Sequence, residues 1–251
     1  LSKESNIVYF ELNNSISYQN NAKKFGLEIA DRNIINVSVS KDLIRLALFG
    51  NYNYQNQSLN FSNTNIRLTR FQQYRFNYSF NYKKLNVKTG LSYIVGNYLT
   101  SYNIKSGNIY TANYGSLIDV NYEMSAFISD TANLNPFANN GNGFAYDLVI
   151  NFKLKDFDIK AYMYDVGSIK WNPSSITYST DSTFIFSGVE VDNILNFNDS
   201  ILEEYSNNDI FTNENSKITS YIPGQFGFNI SKNINNKKIS SYSGGINFKW
   251  Q

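Results

Sequence analysis

Tyr74, Phe76, Tyr78, Phe80 and Tyr82 occupy every second position of QYRFNYSFNY, and Arg75, Asn77, Ser79 and Asn81 fill the positions between them. Successive side chains of a strand point to opposite faces, so this spacing predicts one aromatic face and one polar face. The same period of two runs along most of the chain. Val8, Phe10, Leu12, Ile16 and Tyr18 alternate with Tyr9, Glu11, Ser15 and Ser17. Phe25, Leu27 and Ile29 follow the turn-like NNAKK, and Ile35, Val37 and Val39 continue their register. Leu85, Val87, Leu91, Tyr93 and Val95 face away from Asn86, Lys88 and Ser92, and Ile118, Val120, Tyr122, Met124 and Ile128 face away from Asp119, Asn121 and Glu123. Further strands are expected near 143–154, 157–171, 183–191, 217–230 and 239–250. Counted together they predict an all-β, antiparallel fold of about 10–14 strands, each long enough to cross a bilayer when tilted.

One stretch departs from the alternation. SKDLIRLALFGN, 40–51, offers Ser40 as an N-cap, Asp42 in the first turn and Gly50 as a stop, which predicts a short helix. A second short helix is expected at 199–205, within the polar and acidic stretch of about 192–216. Four connections carry lysine: NNAKK at 20–24, YKKL at 82–85, KLKD at 153–156 and NINNKK at 233–238. Short turns gather at one end of bacterial barrels. The three strands expected between the second and third turns would instead put those two at opposite ends. With no repeat and no linker in view, 1–251 is read as a single domain, a shortened or incomplete barrel being the alternative.

The hairpin GFAYDLVINFKLKDFDIKAYMYDVGSIKW, 143–171, gives a register. A two-residue turn at Lys155 and Asp156 places Lys153 opposite Asp158, Asn151 opposite Lys160 and Tyr146 opposite Asp165. Opposite charges across a strand pair help to fix such a register. Asp165 then falls in the apolar row, where a strand end reaching water is the expected account.

Composition narrows the chemistry. Of 251 residues, 20 are Tyr and 19 Phe, and there is neither Cys nor His. Disulfides, thiol nucleophiles, His-based triads and His-ligated metals are excluded, so a non-enzymatic protein without cofactor or metal is expected. The net charge of +2 carries no basic patch that would read nucleic acid. The acids Glu190, Asp192, Asp199, Glu203, Glu204 and Asp209 lack the spacing of an EF-hand loop and read as a solvated loop.

The aromatic faces suit three environments. A soluble core favours Val, Ile and Leu over Tyr, whose hydroxyl needs a partner. A carbohydrate-binding module presents a few exposed aromatics, not whole rows. An outer-membrane barrel turns apolar residues outward between aromatic girdles and keeps a polar interior. That last environment is the expectation: Tyr74, Phe76, Tyr78, Phe80 and Tyr82 face lipid, and Arg75, Lys88, Asp119, Glu123, Asp147, Lys153, Asp158 and Lys160 face the lumen. Tyr242, Ile246, Phe248 and Trp250 alternate up to the penultimate residue, like a closing strand.

The same hairpin resembles a known family. Its second strand ends in Asp165-Val166-Gly167, Ile169 and Trp171, and this pattern is similar to that of uncharacterised outer-membrane barrels of Bacteroidota. These are distantly like the fatty-acid-transporter and type IX secretion-associated (PorP/SprF-like) barrels. The resemblance extends to Gly50-Asn51, GLSYIVG at 90–96, FIFSGVEV at 184–191 and SYIPGQFGF at 220–228. It implies a bacterial outer-membrane location, lipid and other envelope proteins as partners, and no catalytic residues. Members are usually longer. Bacteroidota attach sugars at Asp-Ser/Thr-small or apolar sequences, which makes Thr131 and Ser200 candidate O-glycosylation sites. The expected function is a structural or accessory part of a secretion or transport complex. A channel for small or hydrophobic solutes and a soluble β-sandwich binding module are the alternatives.

Overall fold

The computed structural model describes residues 5–22, 24–130, 135, 137–186, 212–215, 217–233 and 241–250. Their strands are β1 (Ser5–Gln19), β2 (Phe25–Ser40), β3 (Gln57–Asn60), β4 (Thr64–Tyr82), β5 (Leu85–Thr111), β6 (Ile118–Ile128) and β7 (Gly141–Leu154). β8 (Phe157–Trp171), β9 (Ile176–Phe186), β10 (Thr212–Asn215), β11 (Thr219–Tyr221), β12 (Gln225–Asn233) and β13 (Ser241–Lys249) follow. Every pairing is antiparallel. The thirteen strands make one sheet that curls into a half-barrel, with the uninterrupted order β1-β2-β4-β5-β7-β8-β12-β13. β1 and β13 are its edges.

The helix forms where its signals lie. α1 (Lys41–Phe49) starts at Ser40, whose Oγ accepts from the Leu43 amide at 3.1 Å, and it stops at Gly50, which has φ 68°. The expected helix at 199–205 lies outside the described residues.

β5 is the long element, with 27 residues. Its first half pairs with β7 and its second half with β6, so both neighbours run antiparallel to it. β6 and β7 are therefore stacked in line along one flank of β5. This resolves the conflict over the lysine turns. Three strands separate the second turn from the third, but two of them run in the same direction. The ends of β1, β4, β7 and β12 and the starts of β2, β5, β8 and β13 all lie at one end of the sheet. At the other end β3, β6, β9 and β10 extend the fold beyond the eight-strand path.

Two expected strands have other bounds. The one near 183–191 begins earlier, as β9, Ile176–Phe186, because ITYSTDSTF has little apolar contrast to mark its start, and 187–191 lie outside the described residues. The one near 217–230 is interrupted: β11 ends at Tyr221 and β12 begins at Gln225. Pro223 lies in the gap, where it needs no ladder hydrogen bond of its own.

The hairpin register is as expected from Lys153↔Asp158 to Leu148↔Met163. Above that the expectation fails. The register shifts beside Asp147, and Tyr146 faces Val166, not Asp165. Asp165 takes φ 58° at this bulge. A bulge re-aims the side chain it carries, and this one turns Asp165 out of the apolar row to the concave side. It is not a strand end at the water interface.

The two faces of the curled sheet differ sharply. On the convex side Tyr74, Phe76, Tyr78, Phe80 and Tyr82 are between 42% and 64% exposed. On the concave side, Phe71, Ile94, Leu99, Ile169, Trp171 and Ile222 form a closed apolar cluster near the extended end. Toward the turn end the concave side is occupied by charge.

Candidate functional site: a charged network on the concave face

Arg32 of β2 and Arg75 of β4 are the hubs of the network. Arg32 lies beside Glu11 of β1, with Nη2 and Oε1 2.5 Å apart, and its Nη1 meets Asp165 Oδ2 of β8 at 2.8 Å. Arg75 reaches Glu28 at 3.1 Å, Asp147 at 2.8 Å and Asp165 at 2.5 Å. Gln73 joins the two hubs: its Oε1 accepts from Arg32, and its Nε2 donates to Asp165 at 2.9 Å and to Ser92 at 3.0 Å. Lys249 of β13 meets Glu11 at 3.0 Å and stands over the Tyr9 ring at 4.2 Å from its centroid.

The local sequence explains the placement. Glu28 and Arg75 are directly opposite in the β2–β4 ladder, as are Ala30 and Gln73, so the small Ala30 leaves room beside Gln73. The Asp165 amide donates to Asp147 Oδ1 at 2.7 Å, which locks the bulge to the carboxylate that Arg75 holds. Gly90 stands opposite Asp147 in the β5–β7 ladder, and a Cβ there would come within 2.9 Å of the Asp147 carboxylate. The Arg32 guanidinium also lies 5.3 Å from the Phe71 ring centroid, where the network meets the apolar cluster.

Charges buried at this depth are tolerated only when paired and hydrogen-bonded. Here each hub guanidinium has at least two carboxylate partners. A polar cavity of about 180 Å³ remains beside them, lined in part by Glu11, Asn13, Arg32, Asp165, Gln225 and Lys249. Its chemistry is ionic positioning. Among the described residues no group of acidic side chains is arranged to hold a metal ion.

Of the residues expected to face inward, Arg75 and Asp147 are central. Lys153 and Asp158 are cross-strand partners at the turn end, 4.0 Å apart at their charged atoms. Lys160 faces Asn151 and Asn229 and lies 5.1 Å from the Tyr162 ring centroid. Lys88 is exposed beside Ser79 and Val149. Asp119 and Glu123 belong to β6, away from the network: Asp119 accepts from Asn121 and Glu123 from Lys105.

The motif residues have structural duties. Asp165 ties the hubs together. Gly167 allows β7 and β8 to meet, since a Cβ there would stand 2.1 Å from the Phe144 carbonyl oxygen. Ile169 and Trp171 are buried in the apolar cluster, and Trp171 Nε1 donates to Ser220 at 2.8 Å. Thr131, Ser200 and the acidic stretch from Glu190 to Asp209 lie outside the described residues. Glu11, Glu28, Arg32, Gln73 and Lys249 were not singled out from the sequence as a site. Their signal was there, because each occupies the polar row of its alternating strand.

An antiparallel half-barrel with an apolar convex face and an ion-paired concave face defines the class. The chain belongs to a family of unknown function (DUF5723), whose match covers residues 5–247. No curated protein and no solved structure matches it.

Proposed function

We propose that the protein is a transmembrane β-barrel of a bacterial outer membrane, serving as a structural or accessory part of an envelope assembly. The convex surface carries this reading. Exposed apolar residues are continuous from strand to strand: Tyr18 pairs with Leu27, Leu27 with Phe76, Phe76 with Leu91, and Leu91 with Tyr146. On the far side Phe226 pairs with Met163 and Phe248, and Phe228 with Ile246. Soluble monomers rarely expose apolar patches beyond a few hundred Å². From Tyr74 to Tyr82 the row runs about 26 Å along its strand, which at a tilt of about 35–45° rises about 19–22 Å, most of the apolar band of about 25 Å in outer-membrane barrels.

The accessory role is favoured over the channel role by what fills the concave side. The hubs and the apolar cluster occupy the space that a solute would need. The resemblance of Asp165-Val166-Gly167, Ile169 and Trp171 to a motif of Bacteroidota outer-membrane barrels agrees with this proposed location, and lipid and other envelope proteins are the partners it would bring.

The test is membrane fractionation combined with gel migration before and after boiling. Recovery in the outer-membrane fraction, with a heat-dependent shift in mobility, is expected. A protein that stays in the aqueous fraction with unchanged mobility would overturn the reading.

A further inference from the structure

We infer that β1 and β13 pair with each other and close the half-barrel into an eight-stranded barrel, with Glu11 opposite Lys249. The inference takes one premise from the membrane reading, that open backbone edges are not tolerated in lipid. Its geometry is independent of that reading.

Direction comes first. Eight strands lie on the uninterrupted path and all neighbours are antiparallel, so β1 and β13 run in opposite senses and can pair as an antiparallel couple. Contacts across the concave side then set the size. Arg32 of β2 touches Asp165 of β8, and Arg67 of β4 donates to the Tyr221 carbonyl of β11 at 3.2 Å. β2 and β8 stand four places apart on the path, and β11 runs into the column of β12, four places from β4. Four of eight is diametrically opposite. An Arg and an Asp joined by a hydrogen bond reach roughly 12 Å. An eight-stranded barrel is about 15 Å across between backbones, whereas one of twelve strands is about 23 Å. A span of roughly 12 Å falls about 3 Å short of the first, which a slight flattening of the cross-section supplies, and about 11 Å short of the second.

The stagger agrees. Following the ladders from Phe25, the path runs Tyr78, Thr89, Leu148, Met163, Phe226 and Phe248 without meeting a bulge. On the β1 side, the Asn20 amide donates to the Phe25 carbonyl, so the path begins at Asn20. With Lys249 opposite Glu11, Phe248 stands opposite Leu12 and the circuit returns eight residues from its start. Eight strands staggered by eight residues tilt by about 35°, at the edge of the usual range of roughly 35–45° for closed barrels. The same register sets Tyr242 beside Tyr18 and Phe248 beside Leu12 on the convex face, and Asn247 beside Asn13 on the concave face. It continues the apolar band across the seam. Lys249 already spans that seam to Glu11 and Tyr9.

The chain has no cysteine, so engineered pairs report cleanly. The full chain carrying N13C with N247C is oxidised in isolated membranes and in the soluble fraction, next to a shifted pair, N13C with S243C. Closure predicts a disulfide within one chain in the first variant. The shifted pair, lying beyond the roughly 7 Å that a disulfide can bridge, should link at least about tenfold less. Disulfide-bonded dimers would show that a second copy occupies the seam and overturn the inference. So would equal linkage in both variants, or none in protein whose circular dichroism shows it folded. The fraction in which the protein is found reports on the membrane reading separately from the linkage.

Discussion

Arg75 holds three carboxylates, on β2, β7 and β8, with its side chain largely buried. Replacing it with methionine keeps much of the volume but leaves Asp147 and Asp165 without their nearest cation. Removing one member of a buried ion group costs about 3–5 kcal/mol. Urea unfolding of Arg75→Met in detergent micelles should show a loss of that order. Asp165 couples charge to backbone, since its φ of 58° suits Asn far better than a β-branched residue. Asp165→Asn should therefore keep the hairpin, and Asp165→Val should lose it, as read by circular dichroism of the refolded protein. On the other face, Tyr78 stands at the centre of the row from Tyr74 to Tyr82. Tyr78→Arg should cost about 2–4 kcal/mol near a bilayer midplane, and Ser79→Arg far less. Refolding into liposomes measures both, and equal costs would deny a lipid-facing row.

At the scale of elements, the hairpin of β7 and β8 is held by close backbone approach as well as by packing. Gly167→Val would drive a side chain into the Phe144 carbonyl. Loss of the folded, fast-migrating form on unboiled gels is expected. The sequence made this hairpin readable from Leu148 to Met163 because each residue there alternates cleanly and a two-residue turn fixes the pairing. It hid the bulge, because nothing in YMYDVG marks a single residue of positive φ. Strands were clearest where one face is exposed, as in β1 and the second half of β4. They were obscure where both faces are covered: Phe71, Gln72 and Gln73 are buried in succession, so the alternation disappears. The network was half legible for a related reason. Alternation says that Glu11, Glu28, Arg32 and Arg75 share a face, but only the curl of the sheet brings Asp165 from β8 to meet them.

For the molecule as a whole, the concave side has two fillings, ionic toward the turn end and apolar toward the extension. Together they predict an electrically silent protein. In planar bilayers the reconstituted protein should show no stable conductance steps, and steady ohmic steps would favour the channel reading. The two ends of the molecule are also unequal. At one end the connection at 83–84 holds only two residues and that at 155–156 likewise, while at the other β5, 27 residues long in all, continues past the end of its ladder with β4 into the extension. On the membrane reading proposed above, that asymmetry bears on which end stays behind when the chain enters a bilayer from one side. The turn-end connections are short but carry Lys24, Lys83, Lys84 and Lys155, and a lysine taken to the middle of a bilayer costs about 2.5–3.5 kcal/mol. Bacterial barrels keep their short turns on the side of entry. The turn end is then expected to remain there as a cationic anchor, and orientation follows from where the lysines are left.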